Sequence, residues 1–161
     1  MFLGGEAADL HADLSHAQLA WLEETLAKDR VEGRPTFLFL HQGLMDTVAG
    51  TFQYQNWHGV KQSTQLRRIL RQYPEVVLFS GHSHWTMESA HTVKPADSSL
   101  PSVVSTASCA YLWDDSCIAT NVGIVGSEGY YIYLYENCLI VRGRSFDRGE
   151  WIGSAQFILP L

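Results

Sequence analysis

Two apolar runs of strand length, each leading straight into histidine, constrain this chain more than any other feature. The first is Thr36-Phe37-Leu38-Phe39-Leu40, followed by His41; the second is Val76-Val77-Leu78-Phe79, followed by Ser80-Gly81-His82-Ser83-His84. A strand without polar alternation has no wet face and belongs in a parallel sheet covered on both sides. Between the runs lie a polar, glycine-punctuated stretch (42–59) and a helix that opens at Ser63 or a neighbour. That helix carries Leu66, Ile69, Leu70 and Tyr73 on one face and is closed by Pro74. Strand, loop, helix, strand is a βαβ unit.

The flanking text extends this α/β reading. Residues 1–3 read as the tail of a strand. Ser15 is placed as an N-cap with Gln18 three residues on, the capping-box spacing, and Leu14 and Leu19 are spaced as a hydrophobic staple. Leu19, Leu22 and Leu26 continue one apolar face, Glu24 and Lys28 pair on the other, and Gly33 and Pro35 end the helix. After His84 the texture changes. A loop-rich stretch (86–101) leads to a short strand (102–108), a hairpin over 129–146 turning at Glu136-Asn137, and a last strand over 156–159. The expected fold is α/β, becoming α+β in the C-terminal half: one domain over 1–161, a parallel βαβ unit joined to antiparallel strands.

Charge and composition narrow the partners. A net charge of −6 argues against nucleic acid held through phosphates, and Arg67, Arg68 and Arg71 read as one solvated helix face. No apolar run approaches the roughly 20 residues needed to span a bilayer, so no membrane segment is expected. The first residues show no basic, then apolar, leader pattern. Cys109, Cys117 and Cys138 form no CxxC pair. They read as small buried thiols in a reducing compartment, with a Cys109–Cys117 bridge as the alternative, and a cytoplasmic location follows as the expectation.

Chemistry is expected at the strand ends, because open α/β sheets bind ligands beyond their carboxyl edges. Gly81 would let the chain turn sharply there. His82 and His84 could point in a common direction if the backbone stays extended, or reach two adjacent metals if it turns. Taken alone, His41 reads as a hydrogen-bonded strand-end residue. Three imidazoles at the ends of strands linked by one helix point to a divalent metal.

Around them, Gln42 and Asp46 could orient an imidazole, and Trp57 and His58 could reach a substrate from the long 42–59 loop, which also holds Tyr54. His11, His16 and His91 read as surface residues. Asp114-Asp115 reads as a solvated turn, and Ser83 lacks the surroundings of a nucleophile. Tyr131, Tyr133 and Tyr135 read as one packed strand face.

Leu-His-Gln-Gly (40–43), followed by Phe-Ser-Gly-His-Ser-His (79–84), resembles the last two metal-binding blocks of calcineurin-like metallophosphoesterases, bacterial members included. Leu-Ser-His-Ala-Gln-Leu-Ala-Trp-Leu-Glu (14–23), Ser-Glu-Gly-Tyr-Tyr (127–131) and Gly-Glu-Trp-Ile (149–152) resemble further segments of that family, so the similarity covers most of the chain. It implies a two-metal phosphohydrolase acting on phosphomono- or phosphodiesters, with ions of the Mn, Fe or Zn class. His41 and His82 would bind one ion and His84 the other, activating a water for attack on a small phosphoester. Gly43 stands where many relatives have proline, which implies a looser loop after His41.

Of the family's earlier blocks, Gly-Asp-x-x-Asp and Gly-Asn-His-Glu/Asp do not occur in these 161 residues, and the one Asp-x-His triplet, Asp9-Leu10-His11, has no strand-end context. The resemblance therefore implies the C-terminal part of a metallophosphoesterase sandwich, inactive alone and holding metal weakly or not at all. A different expectation makes the chain a non-catalytic interaction module that homodimerises through an exposed sheet edge. A third is a single structural zinc on the three histidines.

Overall fold

The computed structural model describes residues 1–161 except Glu32, Asn56 and Trp57. Trp57, expected near substrate, lies outside the described residues. The chain mixes helices with both parallel and antiparallel strands. In chain order the first elements are β1 (Phe2–Leu3), α1 (His16–Asp29), β2 (Thr36–Leu40), α2 (Ser63–Leu70), β3 (Val76–Ser80), β4 (Val93–Lys94) and β5 (Ser102–Ser105). There follow β6 (Tyr111–Leu112), α3 (Asp115–Thr120), β7 (Ile124–Val125), β8 (Glu128–Leu134), β9 (Cys138–Ser145) and β10 (Glu150–Pro160).

Five strands form one sheet in the order β1-β2-β3-β5-β4, parallel except for β4. The pairing of β2 with β3 sets Leu40 opposite Ser80, so His41 and the Gly81-His82 turn leave the sheet side by side. An antiparallel three-stranded sheet, β10-β9-β8, and a small β6–β7 pair complete the strands.

Strand alternation explains why the two seed strands carry no polar face. Leu38, Leu40, Val76 and Leu78 point into a core with Leu19, Leu22 and Leu26 of α1 and Leu66, Ile69 and Leu70 of α2. Val77, Phe79 and Val104 point the other way, against Leu139 and Val141 of β9 and Leu159 of β10. The result is helices, mixed sheet and antiparallel sheet in three layers, and each fully buried Leu contributes about 1.5–3 kcal/mol.

Local signals acted as their chemistry requires, with one substitution of partner. Ser15 accepts the Gln18 amide as N-cap, and Leu14 and Leu19 share the helix core. The Ser15 amide, however, is taken by Glu6 rather than by Gln18, whose side chain instead holds both backbone groups of Gly4.

Several expectations are corrected by packing. Asp114 is no solvated turn: it caps α3, accepting the Ser116 and Cys117 amides. The Arg67 guanidinium does not simply face solvent, since it donates to the Met45 carbonyl and ties α2 to the 42–59 loop. Cys117 is buried, but Cys138 is only partly so and Cys109 is exposed, and all three are free thiols. Tyr131, Tyr133 and Tyr135 face outward, 38–53% exposed. The last strand starts six residues earlier than its apolar pattern suggests, because a register shift lets β10 continue past an irregularity between Trp151 and Gln156. Among the described residues no helix is long and apolar enough to cross a membrane.

Candidate metal centre

The loop after β2 is fastened over residues 43–55 rather than loose. Thr51 Oγ1 accepts the amides of Thr47 and Val48 and donates to the Val48 carbonyl, while Gln55 Oε1 accepts the Gly50 amide. Gly43 does not loosen it: the residue is buried, and a Cβ there would lie 2.7 Å from Thr51 Cγ2. Its carbonyl accepts the Val60 amide. What a proline would stiffen by its ring, this loop stiffens by packing.

The chain turns at the second histidine pair. His82 (φ 67°) and His84 (φ 56°) both adopt the left-handed conformation, separated by buried Ser83. Non-glycine residues held there cost on the order of 1–3 kcal/mol each, and such strain concentrates at functional sites. The turn sends the two imidazoles apart. His82 Nδ1 lies 3.2 Å from His41 Nε2, with ring centres 5.1 Å apart and planes at 75°. His84 packs on Tyr111 (4.5 Å between ring centres), and its Nδ1 is 3.1 Å from the Tyr111 carbonyl. Donation from Nδ1–H to that carbonyl leaves Nε2 as the lone-pair nitrogen, the arrangement common behind metal-bound histidines.

The sequence reading missed His11. It is half-buried, and its Nε2 lies 3.1 Å from Nδ1 of His58, with ring centres 4.7 Å apart at 80°. His58 in turn stands 6.3 Å, centre to centre, from His82. No sequence signal marked His11, because its proximity depends on the parallel bridge between Ala12 and Val60. That bridge brings residues nearly fifty positions apart into register.

Burial first, and then the fields of His41, His58, His84 and His11, push the His82 imidazole down to about 4 from 6.5. His84 is lowered by burial, against the opposing pull of the Tyr111 carbonyl. Both are therefore neutral at physiological pH, the form that can ligate a metal.

The remaining expected residues do other things. Gln42 is buried and reaches the Leu10 carbonyl, beside His11, at 3.5 Å. Asp46 accepts the Gln53 backbone and side-chain N–H groups. Buried Ser83 donates to the Ala49 carbonyl at 3.5 Å. Among the described residues no three His, Cys, Asp or Glu side chains converge on one point. His41 pairs with His82 and His11 with His58, while His84 stands apart on Tyr111. Beside His41 the strand ends border a depression of about 330 Å³, lined by Phe2, Phe39, Phe79, Gly81 and Thr106.

No protein-family model matches the sequence, and no curated protein matches it significantly.

Proposed function

We propose that this chain is the histidine-bearing, C-terminal part of a calcineurin-like metallophosphoesterase sandwich that cleaves phosphomono- or phosphodiesters. The carrying observation is the 3.2 Å separation of His41 Nε2 and His82 Nδ1 at the carboxyl ends of adjacent parallel strands. Two ligand nitrogens about 2.0–2.1 Å from one ion stand about 2.8–3.4 Å apart for angles between 90° and tetrahedral. His41 and His82 would hold one ion of the Mn, Fe or Zn class and His84, through Nε2, a second. Such ions supply Lewis-acid polarisation of the phosphoryl group and an activated water. The donor set fits in type but lacks the bridging carboxylate, since neither Gly-Asp-x-x-Asp nor Gly-Asn-His-Glu/Asp occurs in the 161 residues. Hydrolysis is accordingly proposed for the protein in which these histidines meet their acidic partners, and negligible turnover for the 161 residues alone.

Zn²⁺ or Mn²⁺ titration by calorimetry, with a bis(p-nitrophenyl) phosphate assay alongside, tests this reading. Metal uptake that falls in His41→Ala and His82→Ala supports it; uptake unaffected by both substitutions removes it. Robust chelator-sensitive hydrolysis by this chain alone would overturn the claim of incompleteness.

A second reading, an interaction module that pairs with another copy of itself, draws on the outer strand β8. Tyr131 to Tyr135 are all exposed there, and an apolar groove of about 540 Å³ runs beside them, lined by Phe37, Phe39, Phe79, Tyr130 and Ile132. Large exposed apolar surfaces of this kind mark interaction sites. A monomeric mass in light scattering at high concentration would end this reading.

A further inference from the structure

We infer that His11 and His58 form a second two-histidine binding site for a divalent transition ion of the zinc class, beside the His41–His82 pair. The inference rests on these side chains and not on the phosphohydrolase reading.

Three observations carry it. The first is backbone placement. His11 and His58 are not long side chains meeting by chance on a surface. The Ala12–Val60 bridge holds their segments together, with the Ala12 amide donating to the Gly59 carbonyl and the Lys61 amide to the Ala12 carbonyl. The Lys61 ammonium also holds both Asp9 and Asp13, so the short 9–13 segment is anchored on either side of His11.

The second is tautomer. His11 Nδ1 lies 3.3 Å from both the Gly59 carbonyl and the Gly59 amide, so this peptide accommodates either tautomer, and the one that donates to the carbonyl presents Nε2 as the lone-pair nitrogen. That nitrogen faces His58 Nδ1 at 3.1 Å. Two nitrogen lone pairs so placed repel unless a proton or a cation lies between them.

The third is the tilt of the two rings, which a bridging ion accommodates. An N–H···N bond with both ring axes along the N···N line would set the ring centres about 5.4 Å apart, and only one whose acceptor ring is turned well off that line would bring them closer. The observed separation is 4.7 Å, so the rings bend towards each other. Two imidazoles on one ion have ring centres about 4.5–5.2 Å apart for ligand angles between 90° and tetrahedral, given metal–nitrogen distances of about 2.0–2.1 Å. The His11–His58 pair falls within that range, as does the His41–His82 pair at 5.1 Å. Zinc, cobalt and nickel suit a neutral two-imidazole site completed by water.

The test uses the full chain with Zn²⁺ as the probe. Side-chain ¹⁵N spectra of the parent are expected to show His11 Nε2 and His58 Nδ1 shifting together as Zn²⁺ is added. In calorimetry His11→Phe and His58→Gln should each remove the same equivalent of Zn²⁺, and the double variant no more than either alone. His11→Asp, which restores an anionic ligand, should recover it. His41→Ala should remove a different equivalent, so this site and the one under the proposed function fail separately. Unchanged Zn²⁺ stoichiometry in both His11→Phe and His58→Gln, or ¹⁵N shifts confined to His41 and His82, would overturn the inference. The parent spectra decide the matter even if a variant fails to fold.

Discussion

Gly50 lies so close to Ser83 that a Cβ on it would sit 2.3 Å from the Ser83 Cβ, and its φ of 82° already excludes most side chains. The loop after β2 is thereby braced against the one residue between His82 and His84. A long connection becomes the back wall of the candidate metal centre, and the strain in the histidine turn is held by packing from outside it.

Gly50→Ala should therefore act at a distance. Positive φ and overpacking together cost about 2–4 kcal/mol, and the displaced Ser83 would carry both histidines with it. Urea denaturation reads the first effect, and Zn²⁺ affinity the second. An alanine variant that matches the parent in both measurements would contradict the brace.

At position 82 the usual order of alanine and glycine should invert. In ordinary structure glycine is the more costly of the two, but His82 sits at φ 67°. His82→Gly should be more stable than His82→Ala by about 1 kcal/mol, while both lose the His41–His82 metal pair. Chemical denaturation of the two variants side by side isolates the backbone term.

The depressed His82 titration has a definite sign. Between 6.5 and about 4 the unfolded chain binds a proton that the folded His82 refuses, so stability of the metal-free protein falls as pH is lowered through that window. His84, lowered as well, adds to the same trend. Thermal melts with chelator at pH 7, 6, 5 and 4 should show a decline that is shallower in His82→Asn. Added Zn²⁺ should raise the melting temperature at pH 7 and have little effect at pH 4.

Glu128 is expected to be worth more than a surface carboxylate. It is 2% exposed and accepts the Met87 amide at 2.7 Å and the Thr86 hydroxyl, fastening β8 to the chain just beyond the histidine turn. Glu128→Ala strands those donors and should cost about 2–3 kcal/mol, whereas Glu128→Gln keeps an acceptor and should cost less. Equal losses from the two substitutions would mean the hydrogen bonds contribute little.

Much of the scaffold was legible because its signals are local or periodic. The strand Thr36–Leu40, the Ser15 cap, the apolar faces of α1 and α2 and the hairpin over 129–146 all follow from short-range spacing. The two-residue strands β4, β6 and β7 and the helix α3 were not legible, since elements so short exist only where a neighbour supplies their hydrogen bonds. The outward tyrosines of β8 were misread for a related reason. A period of two shows that side chains share a face, not which face is covered.

The site divides in the same way. The sequence by itself determined that His41 and His82 follow two parallel strands at the carboxyl end of a sheet, because uninterrupted apolar runs joined by a helix admit little else; that the two strands are neighbours came from the structure. It also determined that no Gly-Asp-x-x-Asp or Gly-Asn-His block accompanies them within these 161 residues. Only the tertiary structure decided that His84 turns aside onto Tyr111 while His11, 47 residues before His58, joins the cluster. Those outcomes depend on left-handed backbone at two histidines and on a single bridge, Ala12 to Val60. Both are held in place by the packing of residues far apart in the chain, which leaves no periodicity for a reader of the sequence to find.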